Sequence, residues 1–152
     1  MKKVTPTKAK ANVKTRKRLD PLSAEQRSER MSRIRSRDSK PELALRKMVF
    51  LLGYRYRLHD RRLPGRPDLV FPSRRCVIFV HGCFWHQHDC ENYRQPLNSV
   101  KFWSEKLSGN VLRDAATRKR LSSEGWRVLV VWECELRRDP VKVAWKVLRF
   151  LL

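Results

Sequence analysis

Along the 152 residues the spacing of apolar positions changes several times, and each change marks an element. Residues 1–20 have no periodicity. From Ser23 a helix is expected: Ser23 and Gln26 form a capping box, and Met31 and Ile34 fall on one face. Ser39-Lys40-Pro41-Glu42 is a second capping box, with proline in the first turn where its missing N–H does no harm. Leu43, Leu45, Val49, Leu51 and Leu52 follow, and Gly53 ends that helix. Residues 54–58 then alternate as a half-buried strand does, and residues 60–67 (DRRLPGRP) form a turn-rich loop. Residues 68–71 read as a short strand, Pro72-Ser73 as a turn, and residues 76–80 as a central strand buried on both faces. Two helices are expected over residues 99–107 and 110–122, the second closed by Gly125. A buried strand over residues 128–132 and a last amphipathic helix from Asp139-Pro140, with Val143, Val147, Leu148 and Leu151, complete the chain. This order predicts an α/β fold, a mixed central sheet flanked by helices, in one domain over residues 21–152.

Charge adds a partner. Lys and Arg number 36 against 15 Asp and Glu, a net charge of +21. Such an excess calls for an anionic partner, and nucleic acid is the default. Residues 1–20 hold eight basic residues and one Asp, which makes them a disordered basic arm adding nonspecific phosphate affinity. Residues 49–152 hold twenty basic and ten acidic residues, so the folded part is basic in its own right. No apolar run approaches the roughly 20 residues that span a bilayer, and the basic start has no apolar stretch behind it. A cytoplasmic, nucleoid-associated protein without membrane contact is expected, its four Cys reduced.

Four features could carry chemistry. Pro67-Asp68 lies at a loop-to-strand junction, where a carboxylate could hold a divalent cation against a phosphate; Asp after Pro is also common in turns. Cys83, His88, Cys90 and the distant Cys134 supply four ligands suited to a structural zinc that would lock a loop to the sheet; reduced core cysteines are the competing reading, and Cys76, inside the apolar strand, is taken as core. His81 and His86 stay outside this set and are free for acid–base work. Phe84-Trp85, beside them, either wedge between bases or cap the loop's own small core. Glu42 needs no role beyond its cap, yet at a helix start it can reach water at a metal.

Taken together, Leu63-Pro64-Gly65-Arg66-Pro67-Asp68, Cys76-Val77-Ile78-Phe79, His81-Gly82-Cys83-Phe84-Trp85-His86 with Cys90, Phe102-Trp103, Asn110-Val111, Arg113-Asp114, and Gly125-Trp126-Arg127-Val128-Leu129 with Val131-Trp132-Glu133-Cys134 resemble the very-short-patch repair DNA mismatch endonuclease family. Met31, Arg33, Arg35, Arg37-Asp38 and Pro41-Glu42 resemble its N-terminal helix region, so the resemblance spans residues 27–150. It implies a restriction-endonuclease-like fold that nicks the T-containing strand 5′ to the T of T:G mismatches left by 5-methylcytosine deamination. By the same resemblance Asp68 and the Val80 carbonyl hold Mg²⁺, Glu42 orients water at the metal, His86 is the general base and His81 lies beside the scissile phosphate. Met31, Phe84 and Trp85 form the wedge, Lys106 and Asn110 contact bases, and Cys83, His88, Cys90 and Cys134 hold zinc. Related nucleases place a second carboxylate two residues before a Lys on the central strand; Phe79 and His81 stand there, which explains why Glu42 and a His would be recruited. Val80 stands where the family often has Thr, and Gln87 and Asp89 replace His of its most His-rich members. The implied partner is duplex DNA with a T:G mismatch, followed by mismatch-repair proteins and a DNA polymerase, and a monomer suffices for one nick. Two other functions remain: a restriction-type nuclease of different specificity on the same fold, and a zinc-stabilised DNA-binding protein without catalysis.

Overall fold

In the computed structural model, which describes residues 23–33, 37–97 and 99–152, the elements follow the order α1 (Ala24–Ser32), α2 (Lys40–Leu51), β1 (Leu69–Phe71), a 3-10 turn (Pro72–Arg74), β2 (Cys76–His81), α3 (Val100–Ser123), β3 (Arg127–Trp132), α4 (Glu133–Arg138) and α5 (Pro140–Leu151). The expected basic arm over residues 1–20, and Ile34 of the first helix, lie outside the described residues. The expected mixed α/β architecture is present. β2 is the middle strand, antiparallel to β1 and parallel to β3, with Ile78 opposite both Leu69 and Leu129.

The apolar run of β2 is continuous because both its faces are covered. Cys76 and Ile78 point to one face, into a core with Leu45 and Val49 of α2, Val131, Leu136 of α4, and Val143, Val147 and Leu151 of α5. Val77 and Phe79 point to the other face and meet Val70 and Leu121 of α3, with Trp126 packed alongside. The result is three layers, with α2, α4 and α5 on one side and the long α3 on the other. Cys76 is fully buried in the core, as expected of it.

Three expectations are corrected. Residues 54–58 do not form a strand; Arg57 makes a single antiparallel bridge with Val70. The alternation is real, since Tyr54 and Tyr56 both set their rings edge-on to Phe71, but β1 has only three residues and offers no further rungs. The two helices expected over residues 99–122 are one 24-residue helix, α3. Gly109 interrupts nothing: a lone helical glycine costs about 1 kcal/mol, which a helix this long absorbs. Cys134, expected at the end of a strand, sits in the first turn of the unexpected α4. The Glu135 carboxylate accepts from the Trp132 N–H at 3.0 Å and from Lys146 Nζ of α5, so the chain turns sharply out of the sheet at that point. Among the described residues no helix is long and apolar enough to cross a membrane.

Candidate active site

The loop before β1 is held against α3 at Gly65. A Cβ there would fall 2.4 Å from Thr117 Cγ2, and its φ of +71° is one that L side chains rarely adopt. Two residues on, Pro67 is fully buried and delivers Asp68 to the start of β1. Asp68 Oδ2 accepts from the Val80 N–H of β2 at 2.7 Å, which ties the carboxylate to the central strand. Burial and the nearby Glu42 charge push the Asp68 carboxyl up to about 6, against the pull of the Val80 N–H and Arg46.

Glu42 is buried at the start of α2. Ser39 caps the helix as expected, but the return half of the box differs: Glu42 Oε2 accepts from the Asp38 N–H at 2.9 Å, not from that of Ser39. Glu42 Oε1 accepts from the Ser39 hydroxyl at 2.9 Å, and Arg46 Nη2 reaches Oε2 at 3.1 Å.

At the far end of β2 the His81 and His86 rings stack, 3.8 Å apart and 9° from parallel. Burial first, then the neighbouring His86, pushes His81 down to about 4. His86 Nδ1 is hydrogen-bonded to the Asp114 carboxylate of α3, a contact for which the sequence reading had assigned Asp114 no role. Asp114 lies eight residues beyond Lys106 and four beyond Asn110, on the helix face that carries both, and that spacing was the signal available.

Phe84 and Trp85 meet edge-on, and both pack on Trp103 of α3. Lys106 Nζ lies 5.5–5.9 Å from the centres of the Trp85, Phe102 and Trp103 rings, a cation over an aromatic cluster. Asn110 Nδ2 donates to the Trp85 carbonyl at 3.1 Å, and its Oδ1 accepts from Arg113. The amide of Asn110 thus fixes the backbone at Trp85.

Cys83, His88 and Cys90 of one loop and the distant Cys134 converge, their ligand atoms all within 4.8 Å of one another. Cys134 Sγ is 3.4 Å from His88 Nδ1, and the His88 ring stacks on Trp132. This set could hold a metal ion. It stands apart from the cleft described next.

A cleft of about 820 Å³ joins the remaining parts. Asp68, Val80, His81, His86 and Glu42 line it together with Met31, Trp85 and Lys106. Phe84 and Asn110 are not among the lining residues; both contact Trp85, which is. Arg37, Arg66, Arg113 and Arg118 add positive charge around the carboxylates, as a site for a phosphate backbone requires. His59, which the sequence reading passed over, also lines the cleft.

Residues 19–92 match the model of the family described as DNA mismatch endonuclease Vsr. A type II nicking enzyme of Xanthomonas oryzae pv. oryzae, V.XorIIP, is 50% identical over 117 residues, which cover 77% of this chain and 86% of that enzyme. The DNA mismatch endonuclease Vsr of Escherichia coli K12 is 48% identical over 111 residues, 73% of this chain and 71% of the relative. Among solved structures, the catalytic domain of the homing endonuclease I-Bth0305I superposes with a TM-score of 0.53 at 20% identity, over 74% of this chain and 94% of that domain; that likeness speaks to the fold. On the identity and coverage of these relatives, the chain belongs to the DNA mismatch endonuclease Vsr family.

Proposed function

We propose that this DNA endonuclease nicks the T-containing strand of a T:G mismatch, 5′ to the T, in a Mg²⁺-dependent hydrolysis. The observation that carries the proposal is that one cleft holds a strand-anchored carboxylate, a His–Asp pair and an aromatic–lysine edge. Asp68 and the Val80 carbonyl would hold Mg²⁺, which when bound neutralises charge on the phosphate. A carboxylate and a carbonyl are the hard oxygen donors this ion prefers. The other metal-capable group in the cleft, His81 with His86 and Asp114, is rich in nitrogen and suits Mg²⁺ poorly.

His86 is the general base. Its Nδ1–H, donated to Asp114, leaves Nε2 bare to take a proton from the attacking water, and the imidazolium that forms is stabilised by the Asp114 charge. His81, held well below the usual imidazole range, is neutral at pH 7 and stands beside the phosphate without competing for that proton. Glu42 orients water with the lone pairs that its three donors leave over.

Met31 and Trp85 at the cleft, with Phe84 behind Trp85, form the wedge. A mismatched step is cheaper to unstack than a paired one, so insertion of aromatics selects the lesion before any base edge is read. In this reading Lys106 contacts bases from the cleft, and Asn110, whose amide is engaged by the Trp85 carbonyl and by Arg113, acts on them through Trp85. Cys83, His88, Cys90 and Cys134 would hold a structural zinc. A tetrahedron with ligands at about 2.3 Å for sulfur and 2.0 Å for nitrogen has S···N edges of about 3.5 Å, close to the 3.4 Å between Cys134 and His88. Bridging β2's following loop to α4, it would hold His86 and Trp85 over the end of the sheet. Residues 1–20 act as a phosphate-binding arm, the enzyme works as a monomer, and mismatch-repair proteins and a polymerase complete the repair.

A duplex with one T:G pair, labelled on the T strand and incubated with Mg²⁺, tests the function. A single nick 5′ to the T, with the paired duplex intact, is expected. Double-strand cuts in paired DNA would make the protein a restriction-type nuclease instead, and tight binding without turnover with any divalent ion would make it a binding protein. Trp85→Ala should reduce nicking of the mismatch by about 1–3 kcal/mol of lost stacking, read as a smaller ratio of mismatched to paired affinity in a competition assay. An equal loss on both duplexes would remove Trp85 from the wedge, since phosphate contacts serve both alike.

A further inference from the structure

Between α2 and the start of β1 lies a chain of contacts that the mechanism above does not use. Arg46 of α2 is buried, and its guanidinium bonds the carboxylates of Asp38 and Glu42. Its Nη2 is also 2.8 Å from His59 Nε2. The other ring nitrogen, His59 Nδ1, faces Asp68 Oδ1 at 3.8 Å. A guanidinium has only donors. The nitrogen that meets it must therefore accept, and in a neutral imidazole the proton then sits on the other nitrogen. His59 is held for this task by its backbone, at a φ of +47° that few side chains other than Asn, Asp and His adopt.

We infer that Arg46 fixes His59 as its Nδ1–H tautomer, and that His59 so fixed is the positioning residue that orients Asp68. The inference rests on Asp68 being the carboxylate of the nicking reaction. Asp68 is then held at Oδ2 by the Val80 N–H, while Oδ1 faces the His59 Nδ1–H dipole across 3.8 Å, an electrostatic contact longer than a hydrogen bond that still favours one orientation of the carboxylate before DNA arrives. Polar groups that orient a ligand in this way typically change affinity or activity 10- to 100-fold when removed. The three ligand-capable groups Asp38, Glu42 and His59 also lie within 4.8 Å of one another, and the Arg46 guanidinium bonds all three, so a fixed cation already serves that cluster.

Two measurements test this on the full-length protein. Long-range proton–nitrogen correlation spectra of ¹⁵N-His protein, with the four imidazoles assigned by single substitutions, report which nitrogen of His59 carries hydrogen. The Nδ1–H pattern is expected, and an Nε2–H pattern overturns the inference whatever the activity. Nicking assays then compare His59→Gln, which can reach only the Nε2 position, with His59→Asn, whose amide nitrogen stands as far from Cβ as Nδ1 does. His59→Gln should raise the half-saturating Mg²⁺ concentration about 10- to 100-fold at an unchanged melting temperature, and His59→Asn should recover most of that loss. Equal behaviour of the two variants overturns the positioning role. If the wild type itself nicks no T:G duplex, the functional reading fails and the tautomer spectrum alone decides this one.

Discussion

Asp68→Asn is expected to abolish nicking, by at least about a thousandfold in rate at saturating Mg²⁺, while leaving the fold intact. Asparagine keeps the size of the side chain, and its carbonyl oxygen can still accept from the Val80 N–H. What it loses is the charge. That charge is costly to the fold: burial and Glu42 hold the carboxyl up at about 6, so the ionised form is disfavoured in the native state relative to the unfolded chain. The sign follows. The penalty is absent below the ordinary carboxylate value of 3.8, grows as pH rises and is complete above about 6. At pH 7.5 the melting temperature of Asp68→Asn should therefore equal or exceed that of the wild type. Thermal melts beside nicking rates check both halves. A residue that costs stability and is indispensable to activity is one kept for its chemistry; a variant that is both inactive and unfolded would make Asp68 structural.

Cys134→Ser should act in the opposite way, on the fold first. The proposed site joins the loop after β2 to α4, and both Cys83 and Cys134 are contributed across that junction. Buried as it is, the free Cys83 thiol is pushed up to about 12, so four unmetallated groups packed this closely have little to hold them together. Metal binding supplies that hold and releases the thiol protons. Removing one ligand should cost about 4 kcal/mol or more, the range of lost metal sites. In a chain of this size that is a fall of about 8–16 °C in melting temperature. Elemental analysis should give one zinc per wild-type chain and less in the variant. Well-folded wild-type protein without zinc would dismiss the ligand set.

Most of the architecture was readable from local signals. Ser23 and Ser39 start helices where their side chains suggested, Gly53 closes α2 in a left-handed conformation, and the apolar run of β2 lies where both faces are covered; β3, expected to be buried, is an edge strand in which only Val131 is fully buried. Most of the misreadings share a cause: the decisive contact was distant in sequence. Tyr54 and Tyr56 alternate because they face Phe71, not because a neighbouring strand runs beside them. The strand ends at Trp132 as expected, but α4 after it was not expected: Glu135, at its start, is held by Lys146 from another helix. Gly109 suggested a break, but nothing lies within 4 Å of where its Cβ would be, and only length decides the matter. The site shows the same division. The Cys and His ligand set was visible because three members share one loop. Asp114, His59 and Arg46 were not, since each matters only through a partner 13 to 28 positions away.

The unbroken α3 has a consequence of its own. Lys106, Asn110, Asp114, Thr117 and Leu121 follow one another along a single side of it, touching in turn the aromatic cluster, the Trp85 backbone, His86, the loop at Gly65 and the second core. At about 1.5 Å per residue, Lys106 and Asp114 are about 12 Å apart on one rod. In the proposed mechanism this spacing is a gauge, and it sets the offset between damaged base and severed bond by helical rise and not by loop motion. One residue inserted between Lys106 and Asp114 would swing the two ends apart by about 100°, so this stretch can drift in sequence but not in length.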